Sequence, residues 1–263
     1  MSTNPPVSIS PEELDQDHVA RKLPHEEEHL EALRRMAGMA PYYAWVRDQF
    51  EPWIGQRILD AGCGVGNFIN QVADRCEYVL GVDLSPLNLE ILNRHFAERP
   101  NVEAQQIDLD EHVDLLAAKE FDTVVCLDVL EHIEDDSTLL SSLARIVKPG
   151  GHVLIKVPAC QWLFGSVDVA SDHYRRYNRP MLRQRAEAVG LEVLSLRYMN
   201  IAGVVPYFIK SRVLKKPANF SRTFTQKQLD RIVRLMPWIR RLDRLTGPFV
   251  GQSVVMAARR PAS

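Results

Sequence analysis

The sequence is short of several features that mark special classes of protein. It has four cysteines in 263 residues, Cys63, Cys76, Cys126 and Cys160, and none of them belongs to a CxxC pair. A disulfide framework is therefore not expected, and reduced thiols are typical of the cytosol. The first ten residues, MSTNPPVSIS, are polar, and no long apolar run follows them. We expect no secretion signal, no transmembrane segment and a cytoplasmic protein.

Acidic and basic residues are unevenly distributed along the chain. Residues 171–263 contain 19 Lys and Arg against 5 Asp and Glu, whereas residues 1–170 contain 13 against 29. The net charge of −2 therefore combines an acidic N-terminal part with a basic C-terminal part. Either the basic part meets an anionic partner, or it docks on the acidic part of the same chain. The sequence leaves both interpretations open.

Short apolar segments alternate with segments of helical pattern, and 46% hydrophobic residues are enough to bury a core. Five strand-like segments come first, and GLEVLSLRYM and QSVVMAARR follow as a sixth and a seventh. The helical patterns between the first five lie at 66–75, 86–98, 110–118 and 136–147. This alternation predicts βαβ units and a parallel sheet. The stretch KPGG at 148–151 predicts a turn before the fifth strand.

Composition and pattern divide the chain into four parts. They are a disordered tail at 1–10, a helical N-terminal segment at 11–53, an α/β domain at 54–201 with 251–260, and a helical insertion at 202–250.

A glycine-rich loop follows the first predicted strand in ILDAGCGVGNF, residues 58–68. Gly62, Gly64 and Gly66 permit a tight turn and a close approach of a ligand to the main chain. No Lys or Arg stands in this loop to hold phosphates. The loop by itself is a weak indication of a nucleotide site, and the absence of basic residues argues against a dinucleotide.

Acidic side chains stand at the ends of four consecutive strands: Asp60, Asp83, Asp108 and Asp128. The carboxyl ends of parallel strands meet at one edge of the sheet, so these acids face one crevice. Asp83 comes about 20 residues after the loop, where a carboxylate accepts ribose hydroxyls. The pattern predicts a ligand with an adenosine-like part and a positive centre.

Five motifs occur in order: ILDAGCGVGNF, GVDLS, IDLD, FDTVVCLDVLEH and LARIVKPGGHVLIKVP. Together they resemble the class I S-adenosylmethionine-dependent methyltransferases, over about residues 55–160. The resemblance implies a Rossmann-like three-layer α/β sandwich with a seven-stranded, mostly parallel sheet whose last strand is antiparallel. It also implies S-adenosyl-L-methionine as the methyl donor and S-adenosyl-L-homocysteine as the product.

The resemblance also implies which residues hold this cofactor. They are Asp60, Gly62 and Gly64 at the methionine part, Asp83 at the ribose with Leu84 on the adenine, Asp108 at the adenine amino group with Leu109 alongside, and Leu127 and Asp128 at the methionine side. The N-terminal helices of similar proteins tend to cover the cofactor, which makes Tyr43 and Trp45 candidates for a lid. Ordinary core packing is the competing interpretation for both.

The stretch GSVDVASDHYRRYNRPML, residues 165–182, follows the fifth strand and resembles one branch of these methyltransferases. His173 is the first candidate for a general base and His132 the second, because imidazole accepts protons near neutral pH. A hydrogen-bonded loop residue is the alternative for His173. Arg175, Arg176 and Tyr177 are candidates for binding an anionic acceptor. The alternative for the arginines is pairing with Asp168, Asp172 or the acidic N-terminal helices.

A metal site is a second interpretation of the same region. Asp128, Glu131 and His132 share a face of a helical turn, and His173 would complete a set of carboxylate and imidazole ligands. Some methyltransferases of small RNAs and of quinone precursors use a Glu-x-x-Glu-His pattern in this way, but here the first position is Asp. The competing interpretation is a packing and turn element, and we do not expect a metal.

The insertion contains TQKQLDRIVRLMPWIRRLDRL, residues 225–245. Its apolar stripe consists of Leu229, Ile232, Val233, Met236, Ile239 and Leu242. Thr225 with Gln228 predicts a capping box, and Pro237 predicts a kink. The helix could lie on a membrane or grip a lipid-like substrate, but packing on its own domain or on a second subunit is the favoured interpretation. The insertion would then form the acceptor pocket or a dimer contact.

The sequence thus predicts methyl transfer to a small-molecule acceptor, on oxygen, in a biosynthetic pathway. The acceptors considered are a secondary metabolite, a lipid or quinone precursor, and a saccharide, with an anionic or lipid-like character. Methylation of RNA or protein is an alternative, although no DPPY or NPPY motif follows the fourth strand. Cofactor binding without catalysis is another. We expect no nucleic-acid partner and a monomer or homodimer.

Overall fold

A computed structural model describes most of the chain. The described residues are 19, 21–23, 26–112, 116, 119–215, 226–246 and 249–262. The tail predicted at 1–10 and the predicted cap Thr225 lie outside them, as does most of the helical pattern at 110–118.

The core of the molecule is a seven-stranded sheet with the order β3-β2-β1-β4-β5-β7-β6. Its strands are β1 (Arg57–Ala61), β2 (Tyr78–Asp83), β3 (Val102–Gln106), β4 (Phe121–Leu127), β5 (Val147–Pro158), β6 (Glu192–Met199) and β7 (Ser253–Arg259). The first five strands are parallel, and β7 runs antiparallel to both of its neighbours, β5 and β6. The Rossmann-like sheet with an antiparallel last strand is therefore confirmed.

Helices cover both faces of this sheet. They are α1 (Glu26–Ala37), α2 (Ala40–Phe50), α3 (Ile69–Val72), α4 (Pro86–His95), α5 (Asp136–Ile146), α6 (Ser166–Val169), α7 (Arg179–Ala188), α8 (Val204–Phe208) and α9 (Gln226–Thr246). A π-helical turn, Ile209–Val213, continues α8. Among the described residues, no helix combines the length and apolar character needed to cross a membrane.

Alternating strand residues pack into two separate apolar clusters, one on each face of the sheet. In β4, Val124 belongs to the first cluster, with α5 and α7, whereas Val125 belongs to the second, with α2, α3, α4 and α9. Successive strand side chains point to opposite faces, so continuous apolar runs such as FDTVVCL can fill both clusters. The result is the predicted three-layer sandwich.

Some of the helices begin at capping residues that the sequence supplies. Asn178 accepts a hydrogen bond from the amide of Met181 at 2.9 Å and so caps α7. Ser85 caps α4 in the same way through Asn88. Each cap contributes about 1 kcal/mol to helix stability.

Two local predictions differ from the structure. The KPGG stretch does not form a separate turn, because β5 already begins at Val147 and continues through Gly150, whose φ is 80°. The extra residues are taken up as a register shift between Phe121 and Thr123. The helical pattern at 66–75 yields only α3 and a 3-10 turn, Ala73–Arg75.

The helix α9 continues through Pro237, and the kink stays a prediction.

The topology indicates where a ligand would bind. The chain order reverses at β1, which pairs with β2 on one side and with β4 on the other. Open α/β sheets bind ligands at such a switch point, outside the carboxyl ends of the strands. The glycine-rich loop follows β1 and therefore lies at this place.

Candidate active site

The glycine-rich loop needs its glycines for backbone geometry. Gly62, Gly64 and Gly66 have φ angles of 78°, 53° and 81°, in the left-handed region that side chains disfavour. The amides of Gly62 and Cys63 donate to the carbonyl of Val82 at 2.8 and 2.9 Å, which fixes the loop to the end of β2. A Cβ on Gly62 would lie 2.3 Å from a methyl carbon of the Val129 side chain, so the loop is closely packed.

Asp60 is buried below this loop, and one of its carboxylate oxygens has no hydrogen-bond partner among the described residues. Its side chain is 2% exposed, and among the described residues its Oδ2 has no hydrogen-bond partner. Burial, with the negative charge of Asp83 as a second cause, raises the pKa of Asp60 to about 7. A buried carboxylate without a partner is costly, and a cationic ligand group removes that cost. Asp60 therefore fits the positively charged methionine end of the predicted cofactor.

Asp83 is held in place by the loop that it faces. The amide of Gly64 donates to its Oδ2 at 2.8 Å, and the amide of Ser85 and the side chain of Asn88 donate to its Oδ1 at 2.9 and 3.1 Å. Such contacts orient a carboxylate at the end of β2, where a ribose would bind. The ribose role of Asp83 stays a prediction.

Asp108 binds a lysine from the N-terminal segment. It is 3% exposed, and the ammonium of Lys22 donates to its Oδ2 at 2.8 Å. The amide of Asp110 donates to its Oδ1 at 3.0 Å. The carboxylate predicted to accept the adenine amino group therefore already accepts an N–H donor. Of the leucines predicted beside the cofactor, Leu84 and Leu127 are half-buried and Leu109 is buried.

The helix α1 lies across the glycine-rich loop. A Cβ on Gly64 would lie 3.0 Å from a methyl carbon of Leu33, and the side-chain Nδ2 of Asn67 donates to the Leu33 carbonyl at 3.3 Å. The same Asn67 lies 3.4 Å from the hydroxyl of Tyr43. Trp45, by contrast, is 4% exposed and packs in the second apolar cluster, as the core interpretation predicted. The contact of Tyr43 with the cofactor stays a prediction.

A buried lysine stands at the carboxyl end of β5, and the sequence analysis did not select it. Lys156 is 4% exposed, and its ammonium bonds to the carboxylate of Asp128. Burial opposes the charge of Lys156, but Asp128 outweighs it and raises the pKa of the lysine. The ring of Tyr42 lies 5.8 Å from the ammonium. A single lysine within the apolar run VLIKVP was the available signal.

His173 is held by a buried carboxylate. Its Nδ1 lies 3.2 Å from Oδ1 of Asp168, which is completely buried. The guanidinium of Arg176 donates to the same oxygen at 2.6 Å, and the Gly165 amide donates to Oδ2 at 2.9 Å. Burial opposes ionisation of Asp168, but the hydrogen bond from His173 and the charge of Arg176 outweigh it and lower the pKa of this carboxyl.

Three of the four residues predicted as metal ligands come together. Ligand atoms of Glu131, His132 and His173 lie within 4.8 Å of one another, and the two imidazole rings are 4.6 Å apart. Asp128 does not join them, because its carboxylate pairs with Lys156. Glu131 is 1% exposed, and burial together with the charge of Asp128 raises its pKa well above the usual range. Among the described atoms, its Oε2 has no hydrogen-bond partner.

The arginines and the tyrosine predicted to bind the acceptor make contacts within the protein. Arg176 is 3% exposed and pairs with Asp168, as the alternative interpretation predicted. Arg175 donates to the carbonyl of Glu134 at 2.7 Å. Tyr177 is completely buried, and its hydroxyl lies 2.6 Å from Oδ2 of Asp136. Their donors are directed to protein acceptors, so the geometry favours structural roles over acceptor binding.

Comparison with known proteins gives a family match and curated relatives. A family model described as a methyltransferase domain matches residues 20–196. The ubiquinone biosynthesis O-methyltransferase of Paracidovorax citrulli is 28% identical over 170 residues, which cover 59% of this chain and 71% of the relative. The protein of the same name from Thiobacillus denitrificans is 31% identical over 170 residues, which cover 59% of this chain and 72% of the relative.

Solved structures share the fold. A Mesorhizobium loti S-adenosylmethionine-dependent methyltransferase gives a TM-score of 0.56 at 17% identity, covering 82% of this chain and 98% of that chain. Phosphoethanolamine N-methyltransferase 2 of Haemonchus contortus, solved with S-adenosyl-L-methionine, gives 0.54 at 24% identity, covering 84% and 52%. These relatives give no support to RNA or protein methylation, or to a protein without catalysis. With its sheet order and the family match over 20–196, this chain belongs to the class I S-adenosylmethionine-dependent methyltransferases and is an enzyme of that family.

Proposed function

We propose that the enzyme methylates a hydroxyl oxygen of a quinone precursor. The observation that carries this proposal is His173, which a buried carboxylate holds beside the end of β4. A hydroxyl acceptor must lose its proton during methyl transfer, so it needs a base at this place. The two curated relatives described above are named for ubiquinone biosynthesis, which supports a hydroxylated aromatic acceptor over a saccharide.

The geometry of the loop supports the cofactor-binding residues that the resemblance implies. The buried Asp60 would face the positive end of S-adenosylmethionine, the backbone of Gly62 and Gly64 would line its methionine part, and Asp83 would bind its ribose. The free Oδ2 of Asp60 among the described residues is the observation that fits this assignment. When bound, S-adenosylmethionine supplies an electrophilic methyl group. The protein must then position the acceptor and exclude water.

His173 would accept the hydroxyl proton. When Nδ1 donates its hydrogen to Asp168, the lone pair of the imidazole lies on Nε2. The proton of the acceptor would pass to that nitrogen as the oxygen takes the methyl group. Asp168 would fix this tautomer and stabilise the imidazolium that forms, while Arg176 keeps Asp168 ionised.

The first part of the insertion would form the acceptor side of the site. The hydroxyl of Ser166 donates to the carbonyl of Ser211 at 3.1 Å, and the guanidinium of Arg176 lies 4.1 Å from the centre of the Tyr207 ring. These contacts join α8 and its π-helical turn to the loop that carries His173. The N-terminal helices would form the opposite wall, as a lid over the cofactor.

Replacement of His173 tests the proposal. We expect His173→Ala to lower kcat by roughly 10²- to 10⁴-fold, with cofactor affinity by calorimetry unchanged. His95→Ala, an exposed histidine in the last turn of α4, is the matched control. Phenolic, aliphatic-alcohol and amine acceptors are assayed together, and mass spectrometry locates the new methyl group. Transfer to nitrogen alone, or full activity of His173→Ala at every pH, would overturn the proposal.

The ligand group of Glu131, His132 and His173 supports a second candidate, a divalent metal that binds the acceptor oxygen. Chelation separates the two candidates. If a metal is required, treatment with EDTA abolishes turnover and Mg²⁺ or Zn²⁺ restores it. If His173 acts as the base, turnover of the wild-type enzyme is the same with and without EDTA.

A further inference from the structure

The helix α9 has a second apolar face, which the sequence analysis did not separate from the first. Its inner stripe packs on the second apolar cluster, with Leu229 and Met236 each 2% exposed. The outer face nevertheless carries large apolar side chains: Leu235 is 54% exposed, Trp238 69%, Leu242 45% and Leu245 74%. With successive residues about 100° apart, these four lie within an arc of roughly 80°. Packing on its own domain therefore accounts for the inner apolar side chains of this helix but not for the outer ones.

Basic side chains stand among these apolar ones. Lys227, Arg231, Arg234 and Arg241 are all exposed and widen the same arc to roughly 120°. Residues 204–246 contain eleven Lys and Arg but only two Asp, Asp230 and Asp243. Asp243 is buried and accepts from the amides of Asn200 and Ile201 at 2.9 and 2.8 Å, so its charge is directed into the protein. The outer face is therefore both apolar and cationic.

A groove adjoins this face. It has a volume of about 550 Å³ and lies between α9 and the start of α2 at Pro41. Arg241, Arg244 and Leu245 line the groove, and the first and last of these also belong to the outer face. Apolar walls with two exposed guanidinium groups suit an amphiphile that has an anionic head.

We propose that the outer face of α9 binds the surface of an anionic phospholipid membrane. Leu235, Trp238, Leu242 and Leu245 enter the boundary between headgroups and acyl chains, and the arginines among them meet lipid phosphates. Helices with this combination of Trp, Leu and Arg lie in the membrane interface, and each basic residue adds electrostatic attraction to anionic lipid. The inference depends on this face alone and goes beyond the proposed acceptor chemistry.

Two other occupants fit the face less well. A symmetric dimer through it would bring the same patch of each copy together, so Arg231, Arg234 and Arg241 would face their own equivalents. Nucleic acid would use these cations but would gain nothing from Trp238 and the exposed leucines, since its backbone contacts are electrostatic. Charge and apolar area together match a lipid surface.

The position of α9 relates membrane binding to the active site. The helix packs on α2 in the second apolar cluster, and α2 carries Tyr42 beside the Lys156–Asp128 pair. A membrane under α9 would therefore lie next to the wall of the active site. An acceptor with an apolar tail would reach the enzyme from the bilayer.

Vesicle sedimentation tests the proposal with the full chain. We expect binding to vesicles of phosphatidylcholine with phosphatidylglycerol, weakened by salt, and binding at least roughly tenfold weaker to phosphatidylcholine alone. The double variant Arg231→Glu with Arg234→Glu should lose roughly tenfold or more of the binding to anionic vesicles. The variant Trp238→Ser with Leu245→Ser should lose binding to a similar extent, whereas Trp238→Phe with Leu245→Ile should retain it.

The control reverses two exposed charges elsewhere, by Arg94→Glu with Arg183→Glu, whose partners are Glu90 and Glu187. It should bind vesicles as the wild type does. Each variant is first shown to unfold at the wild-type temperature and to bind S-adenosylhomocysteine with unchanged affinity, which keeps a folding defect or a failed active site apart from a failed membrane contact.

The proposal is overturned if the wild type ignores anionic vesicles or if the face variants bind them as the wild type does. Sedimentation velocity identifies a second copy as the occupant, if the Trp238 and Leu245 variant turns a dimer into a monomer and vesicles are not bound. Salt-sensitive binding to nucleic acid without vesicle binding would identify that occupant instead. A water-soluble acceptor should be methylated equally by the wild type and the face variants.

Discussion

At the scale of single residues, the negative charge of Asp60 is unfavourable in the protein without its cofactor. The folded protein holds Asp60 in a place that raises its pKa from 3.8 to about 7. The folded state therefore binds this proton more tightly than the unfolded chain does. The corresponding stability is present at acid pH and is lost as the pH rises from about 4 through 7.

This unfavourable charge predicts a pH dependence of cofactor binding. Below about pH 7 the Asp60 carboxyl is protonated, so a cationic cofactor must displace that proton, and affinity should fall by up to about tenfold per pH unit. Calorimetry in buffers of different ionisation enthalpy measures the released proton. A profile without slope, or the same slope in Asp60→Asn, would contradict the assignment of Asp60.

The same residue predicts opposite effects on stability and binding. Asp60→Asn removes a buried charge, so the protein without cofactor should be more stable above pH 7 by roughly 1–3 kcal/mol. Cofactor affinity should fall in the same variant, because the cationic group loses its partner. Thermal unfolding and calorimetry check the two effects. A variant that is both less stable and unchanged in binding would argue that Asp60 has only a structural role.

Asp83 offers a further test. Asp83→Ala should weaken cofactor binding by roughly 2–3 kcal/mol, since it removes charge-assisted hydrogen bonds. It also removes the acceptor of the Gly64 and Ser85 amides, so Asp83→Asn, which keeps one acceptor oxygen, should retain part of the affinity. Unchanged affinity in Asp83→Ala, measured by calorimetry, would contradict the ribose role.

At the scale of elements, the contacts of α1 with the glycine-rich loop allow the proposed lid to be tested. Leu33 packs against Gly64, and the Leu33 carbonyl accepts from Asn67. Leu33→Ala should therefore speed dissociation of the cofactor while the association rate changes little, as measured by stopped flow. Arg35→Ala, whose exposed side chain pairs with Glu31 on the same helix, is the control. Equal dissociation rates in both variants would remove α1 from the lid.

The sequence predicted elements well where the signal was local. The side chains of β1, β2 and β4 fill the two apolar clusters, so these strands appear in the sequence as continuous apolar runs between polar helical segments. The candidates for the cofactor were found for the same reason, because each follows its strand directly.

Contacts between distant residues were not predictable in this way. Lys156 meets Asp128 from another strand, and Arg176 finds Asp168 and Tyr207 only because two loops and the insertion converge. The sequence shows the residue types but not their distances. It could not decide whether Arg176 binds a ligand or supports a loop, or which of the four candidate metal ligands share a site.

At the scale of the whole molecule, the two oppositely charged parts of the chain touch at specific points. Arg240 of α9 pairs with Asp48 of α2, and Arg197 donates to the carbonyl of Gln49 at 2.8 Å. Docking of the basic part on the acidic part, one of the two predicted interpretations, therefore accounts for some of the cations. The exposed arginines of the α9 outer face are not among these pairs.

Cofactor binding should stabilise the molecule as a unit, because the site joins the ends of four strands. At a concentration about 100-fold above Kd, S-adenosylhomocysteine should add about 2.7 kcal/mol, which raises Tm by roughly 5–10 °C for a chain of this size. Thermal unfolding with NAD and ATP as comparison ligands checks this expectation. A shift with NAD and none with S-adenosylhomocysteine would contradict the family assignment of the ligand.

The position of β7 has a consequence for synthesis in the cell. Residues 253–259 pair with β5 on one side and β6 on the other, so β6 has no neighbour in the sheet until they have left the ribosome. From the synthesis of β6 until that of β7, the nascent chain therefore carries unpaired borders on β5 and β6, and such borders recruit other chains. The pairing of β7, and not the formation of the glycine-rich loop, is the event that completes the sheet.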